Sequence, residues 1–149
     1  MTAVVAVTIE PAGGDPSTAA ALAALDASAS SRPWSVSTFT AELARDDRVY
    51  LTARVEGRLV GVVGLAMQDG DAHVMTFAVD PAWQHQGIAR RLLAALLDEA
   101  QRRGAAVTLE VRATDERTRR LYRRAGFEDV GVRRDYYGPG ADAIIAWRR

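Results

Sequence analysis

Gln84-His85-Gln86-Gly87-Ile88-Ala89 constrains this chain more than any other stretch. It follows an apolar, strand-like run, Val74 to Val79, and a turn signal, Asp80-Pro81. It opens a long amphipathic stretch from Ile88 to Arg103. A glycine where a strand turns into a helix lets backbone N–H groups face outward with no Cβ in the way. Helix N-termini carry unpaired N–H donors and the positive end of the helix dipole, so they attract phosphates. Arg90 and Arg91, in the first turns, oppose that dipole and make better sense if an anion sits at that end. The segment therefore predicts a pyrophosphate site. The competing reading is a helix-start turn with a routine glycine.

The spacing excludes the commoner phosphate loops. A P-loop needs Gly-Lys-Ser/Thr, and the chain has no lysine. A dinucleotide fingerprint needs three glycines, and only Gly87 is present here. At 149 residues with zero formal net charge, one domain spanning 1–149 is expected. No overall field favours nucleic acid or a membrane. With no cysteine, disulfides, thiolate metal sites and a cysteine nucleophile are excluded. No carboxylate–histidine cluster has metal-ligand spacing, so no metal is expected. No apolar run approaches the roughly 20 residues of a membrane span. A cytoplasmic protein, monomeric or weakly dimeric, is the expectation.

Val4 to Ile9 reads as a first strand, broken by Pro11 to Pro16. Asp15 can cap, with Pro16 at the first helical position, a helix running to about Ser28. Ser35 or Ser37 caps a second helix ending near Arg45. Val49 to Val55 and Leu59 to Met67 flank Glu56-Gly57-Arg58 as a hairpin. Asp69-Gly70 turns the chain into a third strand, Ala72 to Val79. The helix Ile88 to Arg103 places Ile88, Leu92, Leu93, Leu96, Leu97 and Ala100 at helical spacing and stops at Gly104. Val107 to Arg112 is the next strand and Glu116 to Ala125 a shorter helix. Phe127 to Val132 and Ala143 to Trp147 are the last strands. This is an α/β (α+β) pattern: a mixed, mostly antiparallel sheet of about seven strands with four helices. The segment from Ala72 to Arg112 would be a parallel crossover.

Gln-x-x-Gly-x-Ala after Val79-Asp80-Pro81 resembles the acyl-CoA loop of the GNAT N-acetyltransferase superfamily. Other blocks carry the likeness along essentially the whole chain. They are Pro33-Trp34-Ser35 with Phe39 and Glu42-Leu43; Leu109-Glu110-Val111-Arg112; Leu121-Tyr122 with Ala125-Gly126-Phe127; Val132 to Tyr137; and Asp142 to Ile145. Within the superfamily the likeness is to the bacterial ribosomal-protein N-terminal alanine acetyltransferases (RimI type). It implies the GNAT fold, acetyl-CoA as acetyl donor, and a protein N-terminus as acceptor.

In Val107 to Arg112, apolar residues alternate with Thr108, Glu110 and Arg112. A crossover strand should be partly covered on both faces, so a carboxylate there needs a reason. The resemblance implies one: Glu110 stands where the family has its general base, acting directly or through water. Tyr122 stands where the family has the acid that protonates the leaving thiolate. Phe77, Ala78 and Val79 would offer backbone groups to the acetyl carbonyl and pantetheine, on a strand that a bulge splays from its neighbour. Gln84, His85, Gln86, Gly87, Ile88 and Ala89 would hold the pyrophosphate, mainly through main chain, with Arg90 adding charge. Asp115 falls at a cofactor position usually held by asparagine. An ionised aspartate cannot donate a hydrogen bond, but it can cap the helix that starts at Glu116. Trp34, Tyr136 and Tyr137 would frame the acceptor peptide. His73 and His85 are the two histidines and neither is given a catalytic part.

Alternatives remain at this point. The chain could acetylate lysine side chains or small amines, or bind acyl-CoA without catalysis. The arginines Arg117, Arg119, Arg120, Arg123 and Arg124 read as a solvated helix face, with a ribosome-contacting patch as the other reading.

Overall fold

The computed structural model describes residues 6–149. Its elements run β1 (Thr8–Pro11), α1 (Pro16–Ala29), α2 (Val36–Leu43), β2 (Arg48–Val55), β3 (Arg58–Gln68), β4 (Asp71–Val79), α3 (Ile88–Arg102), β5 (Val107–Arg112), α4 (Glu116–Arg124), β6 (Glu128–Arg133) and β7 (Ala143–Arg148). The strands form one seven-stranded sheet in the order β1-β2-β3-β4-β5-β7-β6. All neighbours are antiparallel except β4 and β5. This is the mixed sheet and the four helices the sequence predicts.

Local chemistry sets the meander. Glu56 and Gly57 have φ of +50° and +78°, and Asp69 and Gly70 have +52° and +82°. Paired positive φ values match the right-handed twist of the strands they join. The strand interiors then bury both faces. On one face Val60, Leu65, Val107 and Leu109 meet Ile88, Leu92, Leu93 and Leu96 of α3. On the other, Tyr50, Val62 and Ala78 meet Leu22 and Leu25 of α1 and Phe39 of α2. Gly64 is required by this second layer, because a Cβ there would lie 2.4 Å from Tyr50 Cε1.

Several boundaries differ from those expected, and three are informative. β1 starts at Thr8, and the expected start at Val4 and Val5 lies outside the described residues. It runs through Pro11, read as a breaker, because β1 is an edge strand, where proline is tolerated. α2 ends at Leu43 rather than near Arg45, whose guanidinium turns to Asp47 at 2.9 Å. β6 begins at Glu128 rather than Phe127. The Phe127 N–H is spent on Tyr122 O (3.1 Å) in closing α4, over Gly126 at φ +97°.

The feature that positions a site lies between β4 and β5. They pair only at Ala72↔Val107 and His73↔Thr108. Beyond that, β4 keeps to β3 and β5 keeps to β7. In the β3–β4 ladder Gly64 pairs with Thr76 and Leu65 with Val74, which leaves Met75 as an extra residue. This bulge bends β4 away from β5, as expected of it. The sheet is thereby forked, and the fork opens to both faces.

Candidate active site

On the α3 face the fork leads into a cleft of about 1090 Å³ between α3 and α4. Its floor is apolar, with Phe77, Val79, Leu93, Leu97, Leu121 and Tyr122. Its rim is polar and basic, with Gln84, His85, Arg90, Arg117, Arg120 and Arg124. The start of α3 opens on this cleft through Gly87, Ile88 and Ala89.

The helix starts are not alike. Asp15, Ser35 and Asp115 cap α1, α2 and α4 with their side chains. α3 starts from Gly87 with no side-chain cap. Gly87 has φ +82°, and a Cβ there would meet no protein atom within 4 Å. An uncapped first turn therefore faces open cleft, with no acidic residue in it. That arrangement suits a diphosphate, and the apolar floor suits an alkyl amide arm. His85 also adopts positive φ (+66°), and its ring lies 3.3 Å from Arg117 Nη1. The Gln84 amide donates to Val79 O at 3.1 Å, tying the loop to the end of β4. Asp115 lines the cleft, but its Oδ1 accepts from Thr118 N–H at 3.1 Å, so its side chain serves as the helix cap.

Tyr122 projects from α4 to the floor of the cleft, its ring 6.3 Å from Phe77 and 5.4 Å from Phe127. Burial, with Tyr137 and Asp115 nearby, raises its phenol well above the usual range, so it stays protonated. Glu110 lies on the other face. Val107, Leu109 and Val111 belong to the α3-side core, so Thr108, Glu110 and Arg112 point toward the α1–α2 layer. The Glu110 carboxylate is held below its usual range, chiefly by a hydrogen bond from His73. Burial opposes this lowering, while the charge of Arg133 adds to it.

The loops over that face are tied together. Arg32 Nη2 donates to Tyr137 O at 2.7 Å, joining the α1–α2 loop to the β6–β7 loop. Tyr136 and Tyr137 stack edge-on at 4.9 Å, and the Arg112 guanidinium lies 4.4 Å from the Tyr137 ring centre. Burial, Tyr136 and Glu110 raise the Tyr137 phenol. Trp34 is half-buried, with its ring 5.4 Å from Phe39 and its backbone N–H donating to Asp26 Oδ2 at 2.8 Å. Its placement is largely one of packing. The sequence reading gave His73 no part, yet its Nε2 lies 2.7 Å from Glu110 Oε2. Alternation along β4 and β5 puts both residues on one face. Their meeting depends on the Ala72↔Val107 register, which no local signal encodes.

The α4 arginines divide. Arg119 pairs with Glu116 and Asp129, and Arg123 with Glu116. Arg117, Arg120 and Arg124 line the cleft.

A forked sheet with an uncapped helix start on one side and a shielded carboxylate on the other suits an acyl-carrier transferase class of site. Comparison with known proteins agrees. The acetyltransferase (GNAT) family profile matches residues 19–127. The N-alpha-acetyltransferase RimI of Mycobacterium tuberculosis is 45% identical over 121 residues, 78% of this chain and 75% of that protein. The [ribosomal protein bS18]-alanine N-acetyltransferase of Escherichia coli is 36% identical over 108 residues, 70% of this chain and 71% of that one. The crystal structure of the ribosomal-protein-S18-alanine N-acetyltransferase from Escherichia coli superposes with a TM-score of 0.87 at 29% identity, covering 96% and 93% of the two chains. The chain belongs to the acetyltransferase (GNAT) family. It is an acetyl-CoA-dependent N-acetyltransferase of the RimI type.

Proposed function

We propose that the protein acetylates a protein N-terminal α-amine, the alanine of a small-subunit ribosomal protein, by direct transfer within a ternary complex in the cytoplasm. The forked sheet carries this reading, with Tyr122 on the cleft face and Glu110 on the opposite face. The likeness to relatives named for N-terminal and bS18-alanine acetylation supplies the acceptor. The absence of cysteine removes the obvious acyl-enzyme route.

Acetyl-CoA supplies an activated thioester, and the protein supplies position and proton transfer. Ile88, Ala89 and Arg90 N–H groups hold the diphosphate at the start of α3, with the Arg90 side chain adding charge. The backbone of Phe77 to Val79, freed from β5 by the fork, donates to the acetyl carbonyl. Glu110 accepts the proton of the incoming ammonium, directly or through one water. A terminal α-amine titrates at ~8, well below a lysine at ~10.4, so it needs less help with deprotonation than a lysine does. Tyr122, held neutral by burial, gives its phenolic proton to the departing sulfur. Tyr136, Tyr137 and Trp34 border the acceptor's approach.

Glu110→Gln and Tyr122→Phe, assayed on a peptide with a free N-terminal alanine, test these roles. Each should lower kcat by roughly 10²-fold or more, the ordinary size of a general acid–base contribution. Acetyl-CoA affinity should hardly change. Wild-type rates in both variants would remove Glu110 and Tyr122 from the chemistry.

A further inference from the structure

We propose that His73 is the positioning residue and charge switch of Glu110: its imidazole aims the carboxylate at the acceptor amine and, when protonated, turns it off. The inference rests on Glu110 being the base. It starts from the place of the contact. β4 and β5 stop pairing at His73↔Thr108, and the next residue of β5 on that face is Glu110. The His73–Glu110 hydrogen bond, at 2.7 Å, therefore spans the fork at its vertex.

The chemistry follows from which atoms are committed. A carboxylate only accepts, so Nε2 must carry the proton and donate to Oε2. Oε2 thereby holds one hydrogen bond that fixes the carboxylate's orientation, and Oε1 is left open to the amine proton. The Glu110 side chain is 10% exposed and the His73 side chain 28%. The carboxylate is thus shielded, while the imidazole keeps a route to solvent for taking up a second proton. Imidazole is the side chain whose charge ordinarily changes between pH 5 and 8. Besides His73, the charge that acts on Glu110 is that of Arg133, which does not switch in this range. His73 is flanked by Ala66 on β3 and Thr108 on β5. Glu110 faces the permanent charge of Arg133 and the neutral phenol of Tyr137, with Arg112 on its own strand. An imidazolium at this point has two effects of the same sign. It weakens Glu110 as a proton acceptor, and it repels the cationic ammonium that must approach.

The test uses the full chain with acetyl-CoA and the free-alanine peptide, following kcat and KM from pH 6 to pH 9. The variants are His73→Ala, His73→Gln and Glu110→Gln, with CoA binding measured for each as a check on folding. A displaced base is expected to cost His73→Ala about 10- to 100-fold in kcat at pH 8, with the acetyl-CoA KM unchanged. His73→Gln, which keeps a donor near the Nε2 position but cannot ionise, should recover most of that rate. It should also lose one ionisation from the acid limb, so its activity relative to wild type rises from pH 8 to pH 6. The acceptor amine titrates in every variant, so this difference isolates His73. Wild-type rates in His73→Ala, or an unchanged acid limb in His73→Gln, would overturn the inference while a fall in Glu110→Gln kept the base assignment. Wild-type rates in Glu110→Gln would remove both. If His73→Ala fails to bind CoA, the acid limb of His73→Gln decides alone.

Discussion

Replacing Gly87 by alanine separates backbone strain from ligand binding, because the fold contains its own control. Gly87 and Gly70 both have φ of +82°, and a Cβ on either would meet no protein atom within 4 Å. Gly70 lies in the β3–β4 turn, whereas Gly87 starts α3 at the cleft. The αL conformation costs a residue with a Cβ roughly 1–2 kcal/mol. Both variants should therefore lose similar stability, about 2–8 °C in Tm for a chain of this size. Affinity for CoA should divide them. A Cβ on Gly87 enters the space where the diphosphate meets the first-turn N–H groups, or turns the loop away from it. Losing one hydrogen bond to a charged group costs about 1.5–3 kcal/mol, which is roughly 10- to 150-fold in Kd. Calorimetric titration with CoA, beside thermal melts, measures both. Equal Kd values for Gly70→Ala and Gly87→Ala would refute the assignment of the α3 start as the diphosphate site.

Two further outcomes concern the layer that covers the acceptor face. Phe39 is fully buried between Trp34 and Tyr50, so Phe39→Ala should cost about 3–5 kcal/mol in denaturant melts; a loss under about 1 kcal/mol would contradict that packing. Asp26 is buried beneath the Trp34 N–H, and burial raises its carboxyl above 3.8. Its contribution to stability is full below the unfolded value and is lost as pH rises through the folded one. Asp26→Asn keeps an acceptor that never ionises, so the Tm of the variant relative to wild type should rise between pH 3.5 and 7. A flat or falling difference would show that ionised Asp26 is not penalised.

The parts of the fold that turn chemistry and periodicity encode were legible in the chain. Glu56-Gly57 and Asp69-Gly70 announce their hairpins, and Asp15, Ser35 and Asp115 cap the helices they precede. The start of α3 was legible for the same reason, since Gly87 interrupts an otherwise regular strand-to-helix passage. What depends on non-local register was not. Family resemblance, and not alternation, supplied the bulge that Met75 makes in β4. The insertion of β7 between β5 and β6 puts Glu110 opposite Ile145, a pairing no local pattern implies. His73 shows no catalytic part in the sequence because 37 residues separate it from Glu110. A histidine in a strand shows no partner until the neighbouring strand is known.

Acceptor identity is decided by mass spectrometry of acetyl-CoA reactions with two peptides. One carries a free N-terminal alanine from the small-subunit ribosomal protein, and the other has the same sequence with a blocked N-terminus and one added lysine. A single acetyl group on the α-amine of the first, with the second unmodified, is the expected result. Acetylation of the lysine-bearing peptide alone would contradict the acceptor assignment and leave an acetyltransferase for side-chain amines.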